Sequence, residues 1–219
     1  MDTHLIRSMD EMARLIRAFG ILPFFPNAVK GWSLKEHTDP SVWFTDREGP
    51  WEWKGPLASE KICVYGKFIR GKAAFVTPEW FRELACLRRD GYDWEAREDE
   101  GIAPYRERLL MRYLRDNPSC LSKNAARECG FTGGYESVLT SLQMQTYVVI
   151  SDFRYSLSKK GVPYGWGNAV IDLADRWLGE DLSARAEEER GEDSLARMLG
   201  HLTRVMPQAD ASSLEKLLR

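Results

Sequence analysis

The sequence predicts a mainly helical α+β protein that contains one winged helix, a helix-turn-helix followed by a two-stranded wing. Three observations predict it. Apolar residues, alanines among them, recur at helical spacing on both sides of a glycine-rich turn at 130–134. A run of β-branched residues follows, and Lys159-Lys160-Gly161 then turns the chain between two extended segments. For the N-terminal half, the sequence predicts an aromatic-rich portion made of α-helices and a β-hairpin. We expect three parts: an aromatic-rich helical region over 1–101 with a hairpin near 61–76, the winged helix over 102–179, and an acidic linker with C-terminal helices over 180–219.

Composition limits the class of protein. The chain has 219 residues, 43% of them hydrophobic, which suits one large domain or two small ones with a real core. Its formal net charge is -2, whereas a protein that binds mainly through phosphate contacts tends to be basic. This charge disfavours a general nucleic-acid coat protein and leaves room for a local basic face.

Several kinds of site lack sequence support. Neither a signal-peptide core nor an apolar run of membrane length is found, which favours a bacterial-type cytoplasmic protein. The chain has three histidines and no HExxH, P-loop or dinucleotide fingerprint, so neither a metal nor a cofactor is expected. The cysteines form no C-x-x-C pair and are expected to be reduced, mostly buried thiols: Cys63, Cys86, Cys120 and Cys129.

The N-terminal elements follow from local patterns. An apolar stripe predicts a helix from about residue 3 to Phe19, which Gly20 ends. Strand-like runs at 62–69 and 73–76 flank a tight turn, and Thr77-Pro78 then opens a helix. Four large aromatic residues fall within eleven positions: Trp43, Phe44, Trp51 and Trp53. They are typical of a core wall, or of a stacking pocket for a planar ligand.

The helix over 104–114 is the first of the predicted winged helix. Its outward arginines, among them Arg108 and Arg112, form the most basic strip of the chain and are candidate nucleic-acid contacts, although a solvated face has the same pattern. The second helix of the helix-turn-helix is poorly equipped to read DNA, since Glu136 is its only charged residue between 135 and 145.

The wing is the better candidate for phosphate contact. It offers the cations Arg154, Lys159 and Lys160. Two aromatic side chains beyond its turn, Tyr164 and Trp166, are candidates to stack on a base or wedge a duplex, or simply to pack. Further helices are predicted over 168–178, 194–205 and 211–218, and the last two are expected to close the N-terminal region or to form a homodimer contact.

Gln143 and Gln145 lie where the second helix should pass into the wing. On a helix they would point about 200° apart, whereas on extended backbone they would share one face. Convergence therefore requires that the chain be extended there. The alternative is a polar helix end whose amides satisfy backbone carbonyls.

The run Leu142-Gln143-Met144-Gln145-Thr146, in this setting, resembles the YcaQ/AlkZ group of bacterial winged-helix DNA glycosylases. The similarity covers about residues 121–171 and identifies the chain as an AlkZ-related protein. It implies that the two glutamines are the catalytic signature, and that substrates are alkylated bases or interstrand crosslinks in duplex DNA. Enzymes of that group are longer, built from tandem winged helices and a β-barrel.

The resemblance also implies a mechanism. An N3- or N7-alkylated purine carries positive charge and leaves as a neutral base, so Gln143 and Gln145 would orient water and present oxygen dipoles to the oxocarbenium. Asp152 is the nearest downstream carboxylate. Strict alternation along a strand places it on the face opposite the glutamines unless a bulge intervenes.

Three functional hypotheses follow. The first is a DNA-associated protein that hydrolyses N-glycosidic bonds. The second is a non-catalytic winged-helix module that binds DNA or, given the net acidity, a protein partner. The third is a small-molecule binder that uses the tryptophan-rich half. Glutamines converging in a basic-rimmed cleft would favour the first, and buried or splayed glutamines the second.

Overall fold

A computed structural model describes residues 5–43, 48–161, 163–184 and 190–219 of the chain, with a mixed α/β fold that is about half helical. The helices are α1 (Met9–Phe19), α2 (Pro50–Ser59), α3 (Pro78–Arg89), α4 (Trp94–Asp99), α5 (Tyr105–Asp116), α6 (Ser122–Glu128), α7 (Tyr135–Met144), α8 (Ala174–Leu178), α9 (Gly191–Val205) and α10 (Ala211–Leu218). The strands are β1 (Ile21–Pro23), β2 (Val64–Ile69), β3 (Lys72–Val76), β4 (Cys120–Leu121), β5 (Val148–Leu157) and β6 (Pro163–Leu173).

The six strands form one antiparallel sheet in the order β1-β3-β2-β5-β6-β4. The predicted hairpin is β2–β3, and it joins β5 where Tyr65 pairs with Ile150. One hydrophobic core spans the described parts of the chain, from Ile6 to Leu218. Sheet and core therefore connect segments of all three predicted parts, and the division into three stays a prediction.

Helix α1 is shorter than the sequence predicts. Its first residue is Met9, because Ser8 caps it by accepting a hydrogen bond from the Glu11 N–H. The described residues before Ser8 are extended, with Ile6 bonded to the backbone near Thr38. The helix ends at Gly20 as predicted, where φ is +68° and a Cβ would collide with the indole of Trp80.

The aromatic segment behaves as a core wall in its described part. Phe24 is fully buried, and the rings of Trp43 and Trp51 lie with their centroids 5.8 and 4.9 Å from its ring. Trp53 is also buried, while Phe44 lies outside the described residues. These contacts favour packing over an open stacking pocket at this place.

Helices α5, α6 and α7 lead into the antiparallel hairpin β5–β6. The helix predicted over 168–178 is wrong in its first half, since β6 continues to Leu173 and α8 begins only at Ala174. Val170 and Ile171 pair with β4 on one side, and β6 pairs with β5 on the other. Their β-branched side chains are therefore buried in a strand between two neighbours.

The C-terminal helices pack onto the N-terminal region. Helix α9 lies against α3, and His201 stacks on Trp80 with ring centroids 4.4 Å apart. Their apolar residues are covered within the chain: Leu195, Met198, Leu202, Leu214 and Leu218. The expected homodimer contact stays a prediction and would have to use other residues. Among the described residues, no helix is both long and apolar enough to cross a membrane.

Candidate functional site

Both glutamines stand on helical backbone. Helix α7 ends at Met144, and Gln145 still has φ -79° and ψ 0°, so the extended geometry required for convergence is absent at the pair. The chain reverses at Thr146, whose φ is +66°, and β5 begins at Val148. Two positions on this turn of helix therefore point in different directions.

The side chain of Gln143 is fully buried against β2. Its Oε1 accepts a hydrogen bond of 2.8 Å from the backbone N–H of Lys67. The ladder between β2 and β5 consists of the Tyr65–Ile150 pair alone, so Gln143 supplies the acceptor where the strand pairing stops. Its Nε2 has no hydrogen-bond partner among the described residues.

Gln145 faces helix α5 instead. Its Nε2 donates to both carboxylate oxygens of Glu107, at 3.3 and 3.2 Å, and to Oγ of Ser141 at 2.9 Å. The Ser141 hydroxyl donates to Glu107 at 2.6 Å. Glu107 is 5% exposed and accepts from these neutral donors. The Gln145–Glu107–Ser141 cluster is thus separate from the bond that Gln143 makes to β2.

Sequence reasoning missed Glu107, although a signal was present. It lies three and four residues before Leu110 and Met111, on the buried stripe of α5, where an acidic residue needs hydrogen-bond donors.

Two arginines of α3 hold the turn between α7 and β5. Arg88 donates to the carbonyl of Met144 at 2.9 Å and to that of Leu218, and burial lowers its pKa to about 10. Arg89 donates to the Thr146 carbonyl at 2.8 Å and forms a bidentate pair with Asp175. The end of α7 is therefore fixed on several sides.

Asp152 lies on β5 and has partners other than the two glutamines. A bulge at Ser151 interrupts the pairing between β5 and β6, as the sequence left open. Asp152 accepts from the backbone N–H of Phe153 at 2.7 Å, and its charge acts on Tyr155 together with that of Glu52 in α2. Burial is the main cause of the raised pKa of Tyr155. The catalytic role of Asp152 stays a prediction, and no hydrogen bond of the described residues joins it to Gln143 or Gln145.

The predicted cations fall into two groups. Arg108 is half-buried and donates to the carbonyl of Ala103 at 2.8 Å, and Arg112 bonds Glu98, its Nε lying 2.8 Å from the carboxylate. The second group is exposed on β5 and the turn after it and, within the described ranges, has no ion pair: Arg154, Lys159 and Lys160. The side chains of Tyr164 and Trp166 lie outside the described part, so their roles stay predictions.

One side of α7 contacts the β2–β3 hairpin. Nζ of Lys67 pairs with Glu136 at 2.9 Å, and the N–H of Gly71 approaches the sulfur of Met144 at 3.2 Å. Half of the helix is buried, and its exposed residues are Glu136 and Ser137. Across residues 5–43, 48–161, 163–184 and 190–219, no group of three His, Cys, Asp or Glu side chains is placed to hold a metal ion.

Comparison with known proteins assigns the chain to a family. The model of a family described as "AlkZ related" matches residues 6–219. No curated protein and no solved structure matches the chain. The match extends the resemblance expected over about 121–171 to nearly the whole length, including the aromatic N-terminal half. The chain belongs to the AlkZ-related family.

Proposed function

We propose that this protein is a DNA-associated relative of the alkylpurine DNA glycosylases, in which α5–α7 and β5–β6 act as a winged helix that binds duplex phosphates through the wing. The observation that carries the proposal is the exposed basic wing, where Arg154, Lys159 and Lys160 have no acidic partner among the described residues. The family assignment supports a glycosylase-like relationship.

In this proposal the protein contacts the phosphates of duplex DNA and does not recognise base edges in the grooves. Helix α7 packs under the β2–β3 hairpin, and its exposed Glu136 repels phosphate. The net charge of -2 makes the wing a local patch on a slightly acidic protein. Affinity is therefore modest and falls steeply with salt, since each neutralised phosphate releases condensed counterions.

The glutamines do not support a shared water site. Gln143 is bonded to β2 and Gln145 to α5, so their amides cannot hold one water between them in this arrangement. Splayed glutamines favour the non-catalytic alternative derived from the sequence. In that role the pair ties α7 to its neighbours on two sides.

A second candidate function is hydrolysis of N-glycosidic bonds, which the Gln145–Glu107–Ser141 cluster favours. A buried carboxylate aligned by an amide and a hydroxyl is equipped to accept a proton from water or to stabilise positive charge on a sugar ring. A cationic alkylpurine is already a good leaving group. This candidate uses Gln145 and Glu107 and assigns no chemistry to Gln143.

Duplex binding is tested by fluorescence anisotropy across a salt series. The double variant Lys159→Ala, Lys160→Ala is expected to weaken binding and to reduce the slope of log affinity against log salt by about two. The variant Arg14→Ala, Arg17→Ala removes the same charge from exposed positions of α1 and serves as the control. Equal affinity and slope for the two double variants would refute the wing as the phosphate contact.

Base release from an alkylated duplex separates the two candidates. Release by the wild type that is lost in both Glu107→Gln and Gln145→Ala, with the fold intact, would establish hydrolysis at this cluster. Absence of release, together with wing-dependent binding, would leave the DNA-associated function without catalysis. Release that survives both substitutions would exclude this cluster as the active site.

A further inference from the structure

The outer half of the β5–β6 hairpin extends beyond the rest of the sheet. Among the described residues, β2 pairs with β5 only at Ile150, and β4 pairs with β6 only at Val170 and Ile171. From Asp152 to Leu157 the two strands therefore pair with each other alone, over about 17 Å of extended chain. This projecting end is narrow enough to approach a groove in a partner molecule.

One face of the projecting hairpin is apolar, and burial on this face decreases toward the tip. Alternation along β5 puts Phe153, Tyr155 and Leu157 on the same face. A Cβ at Gly167 would lie 2.9 Å from Cζ of Tyr155 and 3.1 Å from Cβ of Phe153, so this glycine lets both side chains pack against β6. Phe153 and Tyr155 are half-buried, whereas Leu157 is 63% exposed. The apolar face therefore ends in a side chain that the fold leaves uncovered.

A bulge in β6 sets the direction of the tip. Arg154 pairs with Asn168 and Ser156 pairs with Tyr164, so two steps along β5 face four steps along β6. Gly165 lies in the bulge with φ +75°, in the left-handed region that favours glycine. Because a bulge bends its strand and increases the local twist, it turns the end of the hairpin relative to the sheet.

The charges beside Leu157 favour a polyanion as the partner of this surface. Arg154, Lys159 and Lys160 are exposed and have no ion pair within the described ranges. Pairing with the hairpin of a second copy would bring three cations against three, which is unfavourable. Duplex DNA instead offers phosphates to the cations and an apolar environment between its stacked bases.

Carboxylates limit the contact to the tip. Burial is the main cause of the raised pKa of Tyr155, and the charges of Glu52, Asp152 and Glu48 raise it further. These acidic groups act at the inner part of the hairpin, where they would repel phosphates. The part of the hairpin suited to DNA therefore begins beyond Tyr155.

We propose that Leu157 is a wedge that enters the minor groove of duplex DNA and partly unstacks two neighbouring base pairs. Leucine is among the apolar side chains that insert between base steps from this groove and kink the duplex. Lys159 and Lys160, two and three residues farther along the chain, contact the flanking phosphates. The inference rests on the DNA-associated function proposed above, and it places the wedge on the strand opposite Tyr164 and Trp166. An aliphatic side chain has no donor or acceptor, so the wedge recognises no base edge, and no covalent step is involved.

Unstacking is measured with a short duplex that carries 2-aminopurine, whose fluorescence rises when the base leaves the stack. Saturating wild-type protein should raise the fluorescence, and Leu157→Ala should lose most of that rise. The same variant should keep the salt dependence of binding in fluorescence anisotropy, because it removes no cation. Leu157→Met restores a long apolar side chain and should recover the rise.

The matched control is Ile102→Ala, which removes an aliphatic side chain that is 47% exposed and lies outside the hairpin. It should raise the fluorescence as the wild type does. Thermal unfolding of Leu157→Ala should match that of the wild type, since the side chain is mostly in solvent. Netropsin, which occupies the minor groove of A·T-rich DNA, should suppress the rise.

The possible outcomes separate the wedge from the DNA association on which it rests. Binding that depends on Lys159 and Lys160 without any rise in fluorescence, or a rise that Leu157→Ala retains, would overturn the wedge and leave DNA association intact. A rise that netropsin does not reduce would overturn the assignment to the minor groove. Binding that does not depend on the two lysines would refute the proposed function itself, and the wedge with it.

Discussion

The side-chain oxygen of Gln143 accepts a hydrogen bond from the backbone N–H of Lys67, a residue 76 positions earlier in the chain. This bond joins the end of α7 to β2 at the point where the pairing of β2 with β5 stops. A residue that the family resemblance marks as catalytic thus completes the hydrogen bonding of a strand.

Replacing Gln143 tests that structural role. Gln143→Ala removes a fully buried side chain and leaves the Lys67 N–H without an acceptor, so the free energy of unfolding should fall by about 2 to 4 kcal/mol. Urea denaturation measures the loss. Gln208→Ala makes the same change on the surface and should cost little. A loss no larger than that of the control would contradict the role.

The second glutamine should be energetically coupled to Glu107. In a double-mutant cycle of Gln145→Ala and Glu107→Gln, a coupling energy of about 1 kcal/mol is expected, because the amide and the carboxylate bond each other directly. Urea denaturation of the four proteins provides it. The parallel cycle of Gln143→Ala with Glu107→Gln should be additive. Coupling in that second cycle would instead indicate that the two glutamines share one site.

Arg89 should be among the residues most sensitive to substitution. Arg89 is 2% exposed, and its guanidinium bonds Asp175, Thr146 and Ser183, which ties α3 to the turn after α7 and to α8. Arg89→Met leaves those partners unpaired and should lower the free energy of unfolding by about 3 to 5 kcal/mol. Arg89→Lys should recover only part of the loss, since an ammonium cannot reproduce the bidentate fork.

A neighbouring arginine provides the control for that experiment. Arg82 lies on the same helix and pairs with Glu180 at 2.8 Å in a partly exposed position. Arg82→Met should therefore cost less than about 1 kcal/mol in urea denaturation. If Arg82→Met and Arg89→Met lowered the free energy of unfolding by similar amounts, burial of the Arg89–Asp175 ion pair would not explain its contribution to stability.

The sequence predicted those parts of the fold that local patterns specify. The end of α1 at Gly20, the β2–β3 hairpin and the helix after Thr77 depend on caps, turns and periodicity, and they were confirmed within a few residues. The strand β6 was misjudged, because Val170 and Ile171 fit either a helix or a strand. Only their pairing with the distant β4 and β5 selects the strand.

The site was less predictable for the same reason. The location of Gln143 and Gln145 at the end of α7 follows from the sequence, but their directions depend on partners 76 and 38 residues away in the chain. The importance of Glu107 depends on such contacts as well.

Lys54 should make stability depend on pH in the alkaline range. It is 7% exposed, donates to the Trp51 carbonyl, and its Nζ lies 4.3 Å from the ring centroid of Phe153. Burial lowers the pKa of Lys54 from 10.5 to about 8. Between these values the unfolded chain binds more protons than the folded one, so the contribution of Lys54 to the free energy of unfolding rises with pH.

The measurement is the difference in unfolding free energy between the wild type and Lys54→Met. This difference should shift by about 2 kcal/mol in favour of the wild type from pH about 8 to about 10, because the charged ammonium is unfavourable when buried. Taking the difference cancels the titration of groups common to both proteins. Lys72→Met, on the exposed side of β3, controls for the substitution itself. A difference that stays constant over this range, or that shifts toward the variant, would show that Lys54 keeps its proton in the folded protein as readily as in the unfolded chain.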